Sequence, residues 1–281
     1  MPEHRLSSIP APAPGQSARR AERAVVRGAV GCLVAGAVAF VVLPVLALFL
    51  QLPLDALPGV FLDPVVVDAL LLSLATASVS TAIILVATTP IAYVTARHAF
   101  PGRAAMETLM DLPIVLPPAV AGLGLLLAFG RFGLAGQYLD AFGITLAFTP
   151  AAVVMAQIFV ASPFYLRQAR TSFAELDPVY EAAARTLGAS RLRAFLRVTV
   201  PLTIEGLLSG AIMTFARALG EFGATIFFAG NLRGMTKTMT LSDYSTMQGD
   251  LQASCAIAVV LVVVSFAVIA AVRVTGRRHV A

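Results

Sequence analysis

The sequence has no tryptophan, only two cysteines, three histidines and a single lysine, and only 12% of its 281 residues are charged. Each scarcity excludes something. A soluble domain carries about 25% charged residues, so a chain this poor in charge cannot cover a water-exposed surface. An intrinsically disordered chain is excluded by 58% hydrophobic content. A disulfide-stapled secreted protein needs more cysteine, and Cys32 and Cys255 both fall inside apolar stretches without CxxC spacing, where they read as small core residues. The three histidines, His4, His98 and His279, lie far apart and form no HExxH or Cys/His cluster, so no metal site is expected. Lys237 follows Thr236, where a phosphate-cradling GxxxxGK[ST] loop requires glycine, so no ATP site of that kind is expected in this chain. A GxSxG nucleophile elbow is also missing. With no tryptophan, interfacial anchoring falls to Tyr and Phe.

What is present is apolar length. A helix needs about 20 apolar residues to cross a bilayer core. Runs without Asp, Glu, Lys or Arg cover 28–54, 69–96, 112–130, 141–166 and 251–272. A sixth segment, 203–229, is apolar but interrupted by Glu205, Arg217 and Glu221. These predict an all-α polytopic membrane protein with six transmembrane helices, at 28–50, 68–95, 107–130, 148–167, 203–229 and 252–273. Of the 20 basic residues, sixteen fall in 1–27, 96–106, 167–202 and 273–281, while only Arg131, Arg233 and Lys237 fall in the alternate loops. The positive-inside rule then places both termini in the cytoplasm. The formal charge of +5 is therefore a topology signal, and no nucleic-acid partner is expected. Residues 1–27, rich in Pro, Ala and Arg, read as a disordered basic tail near the anionic leaflet. The first apolar run is long enough, with five spans behind it, to be an uncleaved helix rather than a signal peptide. Residues 273–281 read as a second cytoplasmic tail.

The loop 168–202 carries its own pattern. Asp177 before Pro178 makes a helix start, and Leu176, Val179, Tyr180, Ala183 and Leu187 recur at three- and four-residue spacing as one apolar stripe. Glu181 and Arg185 stand in the favourable i,i+4 order for an ion pair. Gly188 suits a helix C′ position, and Ser190 suits the cap of a second helix bearing Arg191, Arg193 and Arg197 and ending at Pro201. Two short helices with a glycine hinge result. They serve either as an amphipathic pair on the membrane surface or as a docking element for a cytoplasmic partner.

These residues carry a resemblance. Glu181-Ala182-Ala183, Gly188 after a four-residue gap and Val200-Pro201-Leu202 resemble the "EAA" loop of bacterial ABC-importer permeases. The likeness covers about 69–272, with one helix before it. It implies the type I ABC importer permease fold, used as a homodimer in the cell membrane. It also implies a coupling loop (Glu181, Ala182, Ala183, Arg185, Gly188) docked on two separate ATPase subunits that use the ATP, no cofactor in this chain, and an extracytoplasmic binding protein that delivers the substrate. The stretch 215–231, with Phe222-Gly223-Ala224-Thr225-Ile226, resembles oxoanion permeases and the molybdate branch most. Leu112-Pro113-Ile114-Val115-Leu116-Pro117-Pro118 and Gly249-Asp250-Leu251 are similar to the same branch, whereas 233–247 departs from it. The resemblance implies import of a tetrahedral oxoanion, molybdate first, with sulfate, thiosulfate or tungstate as alternatives. An ion-coupled secondary transporter is the rival class, and the sequence lacks the internal repeat common in such proteins.

Polar residues inside spans complete the candidates. Arg217 and Glu221, expected near the middle of the fifth helix, would each cost about 2.5–3.5 kcal/mol if unpaired. At i,i+4 they read either as a structural ion pair or as a pathway or gate at the dimer interface, where an oxoanion needs guanidinium donors without a tight trap. Gly220 and Gly223 read as helix-packing positions. Pro113, Pro117 and Pro118 predict a kink or break in the third helix, with Pro117 and Pro118 assigned to the pathway and Asp111 read as a helix-end cap or a functional group.

Overall fold

The computed structural model describes residues 16–52, 59 and 62–277, and every element among them is helical. The chain divides into two units, Met1–Gln51 and Leu52–Ala281. The first holds α1, Gln16–Leu50. This helix begins before the expected residue 28, so 16–27, expected in a disordered tail, are helical. The first fifteen residues of that expected tail and the last four of the chain lie outside the described residues. The apolar side chains of α1, such as Leu33 and Phe40, are exposed, a surface suited to lipid and not to water.

The second unit begins with α2, Pro64–Arg97. Asp63 starts it by accepting the Val65 N–H at 2.8 Å, and Pro64 fills the first position, where no N–H is needed. The third expected helix is in fact two, α3 (Arg103–Val115) and α4 (Pro118–Phe129), bent by 114°. Pro113 is tolerated inside α3, while Pro117-Pro118 breaks the chain, because two successive prolines leave no donor for the helix ladder. The short α5 (Gly136–Ala141) leads to α6, Pro150–Glu175, capped by Thr149. This helix runs eight residues past its expected end at 167, which shortens the loop behind it. The loop folds as α7 (Val179–Thr186) and α8 (Arg191–Leu202). A π-helical turn at Phe195–Thr199 interrupts α8. After a 75° bend comes α9, Ile204–Leu219. The fifth expected helix ends there, and Gly220–Phe222 separates it from α10, Gly223–Phe228. Two further helices close the unit: α11 (Met239–Met247) and α12 (Leu251–Arg277).

Among the described residues, four helices are long and apolar enough to cross a membrane, and each of the bent pairs α3–α4 and α8–α9 adds one span if counted as such, giving six. Small side chains hold the second unit together. Ala77 and Ala92 of α2, Ala161 and Ala169 of α6 and Ala218 of α9 are fully buried in one cluster. Lipid removes the hydrophobic drive between spans, so close approach of small residues and interhelical hydrogen bonds supply the adhesion. Gln157 of α6 donates to Thr76 Oγ1 at 3.2 Å and accepts from Ser80 at 2.8 Å, both on α2. Near the other end of these helices, Thr89 of α2 and Tyr165 of α6 share a 2.7 Å hydroxyl contact.

Candidate functional site

Two places gather the residues that the sequence singled out. The first is the end of the bundle where α2, α6, α7 and α8 meet. Asp177 accepts the Val179 N–H at 2.9 Å and starts α7. At the far end, Gly188 takes φ +88°, the Gly188 N–H donates to the Arg185 carbonyl and the Ala189 N–H donates to the Ala184 carbonyl, both at 3.0 Å. That is a Schellman closure, which needs a residue without a Cβ at the left-handed position. Ser190 caps the next helix by accepting the Arg193 N–H.

Glu181 was expected to pair with Arg185. It turns inward instead, its side chain 17% exposed. Tyr93 of α2 donates to its Oε2 at 2.7 Å, Thr199 of α8 donates to its Oε1 at 2.7 Å, and Arg97 of α2 lies 3.3 Å from Oε1. Three donors in a partly dry setting hold a carboxylate better than one solvated guanidinium can. Burial pushes the Glu181 carboxyl up, but the hydrogen bonds from Tyr93 and Thr199 and the Arg97 charge outweigh it, leaving the group below the ordinary carboxylate range. Arg97 also donates to the Leu176 carbonyl at 2.7 Å, which ties down the approach to α7. Tyr93, Phe173 and Phe195 pack as an edge-on aromatic cluster beside this network.

Among the described residues, most of the apolar stripe of α7 is left exposed. Val179, Tyr180 and Leu187 are exposed, as are Ala182, Ala183 and Arg185. A groove of about 730 Å³ beside it is lined by Ala182, Arg185, Gly188 and Arg191 among others. Ion pairs from α3 to α6 brace this end: Arg170 to Glu107 at 2.8 Å and Arg167 to Asp111 at 2.8 Å. Asp111, expected as a helix-end cap or functional group, sits inside α3 and serves as that brace.

The second place is the break after α9. Glu221 lies in the break itself, not mid-helix as expected, and Arg217 lies in the last turn of α9. Their ion pair is 2.6 Å long, with Glu221 1% exposed and the Arg217 side chain 27% exposed. The other carboxylate oxygen accepts the Ala224 N–H at 2.7 Å, so Glu221 satisfies a free donor in the first turn of α10. Thr240 of α11 donates to the Glu221 carbonyl at 2.9 Å. Gly223 touches the start of α4: a Cβ there would lie 2.6 Å from Pro118 Cβ. One turn on, a Cβ at Gly122 would lie 2.8 Å from Ala224 Cα. The two helix breaks therefore meet, bringing Pro118, Glu221 and Gly223 together. Gly220, expected as a packing glycine, has no such neighbour, since only its own Ala216 carbonyl approaches it. It ends α9 instead.

Sequence reasoning missed Tyr93, Arg97 and Thr199. Tyr93 and Arg97 sit more than 80 residues from Glu181, and one sequence carries no signal for that pairing. It also missed α11, whose Met239 and Leu241 are fully buried, with the Met239 N–H donating to Ser73 at 2.7 Å. Among the described residues no group of three His, Cys, Asp or Glu could hold a metal ion.

Comparison with known proteins puts these two places in context. A permease of Mycobacterium tuberculosis, "Molybdenum transport system permease protein ModB", is 42% identical over 83% of this chain and 88% of its own length. "Molybdate/tungstate transport system permease protein WtpB" of Thermococcus kodakarensis is 37% identical over 86% of this chain and 93% of its own length. The fold matches a crystal structure of a bacterial ABC transporter involved in the import of the acidic polysaccharide alginate, with TM-score 0.72 and 15% identity over 94% of this chain and 99% of that one. Residues 88–279, which contain the Glu181 network, α7 and both breaks, match the family described as "Binding-protein-dependent transport system inner membrane component", and the chain belongs to that family.

Proposed function

We propose that this chain is the membrane-spanning subunit of an ATP-driven importer of molybdate or tungstate, working as a homodimer with two ATPase subunits and an extracytoplasmic binding protein. The observation that carries this is α7. A short helix, clamped from behind by Glu181, presents Val179, Tyr180, Ala183 and Leu187 as exposed side chains among the described residues. Such a helix suits a partner that must pull on the bundle without detaching from it. Family membership supports dependence on a binding protein, and the names of the two permease relatives support molybdate or tungstate as cargo.

In this reading ATP binding closes the ATPase pair and draws the two docking helices together. The pull passes from α7 through the Glu181 hydrogen bonds to α2 and to the π turn of α8, and from α8 into α9. At 1.5 Å per residue α9 is a rod of about 24 Å, and it ends at Arg217 and the break that abuts α4. Nucleotide and loaded binding protein thus bias one two-state equilibrium between inward- and outward-open forms. Arg217 offers a partly exposed guanidinium to a tetrahedral dianion, and Glu221 keeps that hold weak enough for release. The excess of arginine in alternate loops supports a cytoplasmic side for both termini and for the docking loop. The hydrolytic chemistry belongs to the ATPase partner.

The test is reconstitution in liposomes with the cognate ATPase and binding protein. Radiolabelled molybdate should enter only with ATP and only with the binding protein, and tungstate should compete better than sulfate. Uptake that persists without the ATPase, or a binding protein that ignores molybdate and tungstate, would overturn the reading.

A further inference from the structure

We propose that the chain carries a weak oxoanion site at the end of the second unit opposite the coupling helix, built by Arg233 and Lys237. The inference rests on the oxoanion-import reading and adds a place where the anion pauses. A cavity of about 400 Å³ lies between the start of α2 and the loop after α10, lined by Val65, Asp68, Leu72, Arg233, Gly234 and Lys237 among others. The coupling network sits at Tyr93 and Arg97, at the other end of the same helix. The sequence placed three basic residues in the outer loops. One, Arg131, is bound to Asp140 at 3.1 Å. The other two converge on this cavity, and neither makes an ion pair among the described residues.

The loop that holds them is built, not loose. The Leu232 carbonyl accepts from the N–H groups of Met235, Thr236 and Lys237 at 2.9–3.1 Å, and the Leu232 N–H donates to Thr236 Oγ1 at 3.0 Å. Thr236 is fully buried, and Gly234 takes φ +75°, a conformation that glycine adopts without strain. This turn fixes two cations four residues apart on the cavity wall. Arg233 supplies a planar fork of donors and Lys237 a compact charge, a combination suited to oxygens arranged tetrahedrally. Asp68 is the acid on the same wall. With one negative charge against two positive ones, the site attracts a dianion without trapping it, as a transit site requires. The space admits the anion with part of its hydration shell.

The experiment is equilibrium dialysis of radiolabelled molybdate against the purified permease–ATPase complex, without binding protein, at low ionic strength. Wild-type complex should bind molybdate saturably. Arg233→Gln/Lys237→Gln should weaken that binding about three- to tenfold, since each exposed charge contributes modestly. Asp68→Asn should strengthen it, Arg233→Lys should retain most of it, and 0.5 M salt should abolish most of it. Copurification of the ATPase in normal amount shows that each variant is folded. No saturable binding to wild type, equal binding by the double variant, or loss of binding only with Arg217→Ala would each overturn the site. So would a double variant whose sole defect is weaker docking of the binding protein. Failure of wild type to take up molybdate with ATP and binding protein would instead overturn the import reading.

Discussion

Glu181 and Glu221 are both glutamates shielded from solvent beside an arginine, yet their surroundings are built on opposite plans. Every partner of Glu181 comes from another element: Tyr93 and Arg97 from α2, Thr199 from α8. Both side-chain partners of Glu221 come from its own stretch of chain, Arg217 four residues before and the Ala224 N–H three residues after. The first carboxylate welds three helices and resists their separation. The second shapes a break locally and leaves the helices on either side free to change their angle. In the proposed reading, a pull passed from the docking helix to the gate would use both kinds of joint.

Breaking the weld should have the largest effect. Glu181→Ala leaves Arg97 partly buried without its acid, a change that costs about 3–5 kcal/mol for a buried pair. We expect ATPase copurification and ATP-driven uptake to be lost, while the α2–α6 core still unfolds in a cooperative transition at a lowered melting temperature. Loss of that core transition would show that Glu181 serves folding and not coupling. Arg217→Ala comes next. It strands a buried carboxylate, but the guanidinium is partly exposed, so about 2–3 kcal/mol is expected. Uptake should fall at least tenfold with ATPase binding intact, and unchanged uptake would show the pair to be a local prop only. Gly223→Ala pushes a Cβ against Pro118, an overpacking of about 1–3 kcal/mol. It should slow transport by holding the two breaks apart, measurable as a lower uptake-to-hydrolysis ratio. Gly188→Ala places a Cβ at φ +88°, at about 1–2 kcal/mol. A few-fold weaker ATPase affinity, with normal uptake per bound ATPase, is the expected readout.

The smallest effect is a pH shift. The folded Glu181 pKa lies below its unfolded value of about 4.3. Its contribution is therefore complete above that pH and lost only as pH falls through the lower folded value. The protection factors of the α7 amides, taken relative to intrinsic exchange at each pH, should hold down to about pH 4.3 and fall below it. In Tyr93→Phe, which removes a donor to the carboxylate and so raises its folded pKa, the loss should begin at the same pH but be smaller and complete at a higher pH.

Local chemistry was legible from the residues alone. Asp177, Gly188 and Ser190 act where their side chains and backbone freedom placed them, and the double proline at 117–118 breaks its helix as two missing N–H groups require. The six apolar segments stood out because charge is so sparse between their ends. What escaped was whatever depends on a distant partner. The i,i+4 spacing of Glu181 and Arg185 is real, but Tyr93, Arg97 and Thr199 compete for the same carboxylate and win. The sequence left the stripe of α7 open to either the membrane surface or a partner, because periodicity reports that a face is apolar and not what covers it. The end of the fifth helix at Leu219 was hidden because Gly220 is tolerated in many helices and Glu221 looked like a mid-helix partner for Arg217.

One proportion of the molecule carries a further consequence. At 34 residues, α2 is about 50 Å long, whereas a bilayer's hydrocarbon core is about 30 Å thick. The helix must stand proud of the membrane or lean within it. It bears Tyr93 and Arg97 at one tip and Asp68 at the other, so it works as a beam with a load at each end. A tilt of about 5° displaces one tip by about 4 Å relative to the other over that length. In the proposed transport cycle that would be enough to open or shut a passage for a small tetrahedral anion, while contacts near the middle of the beam move by only a fraction of it.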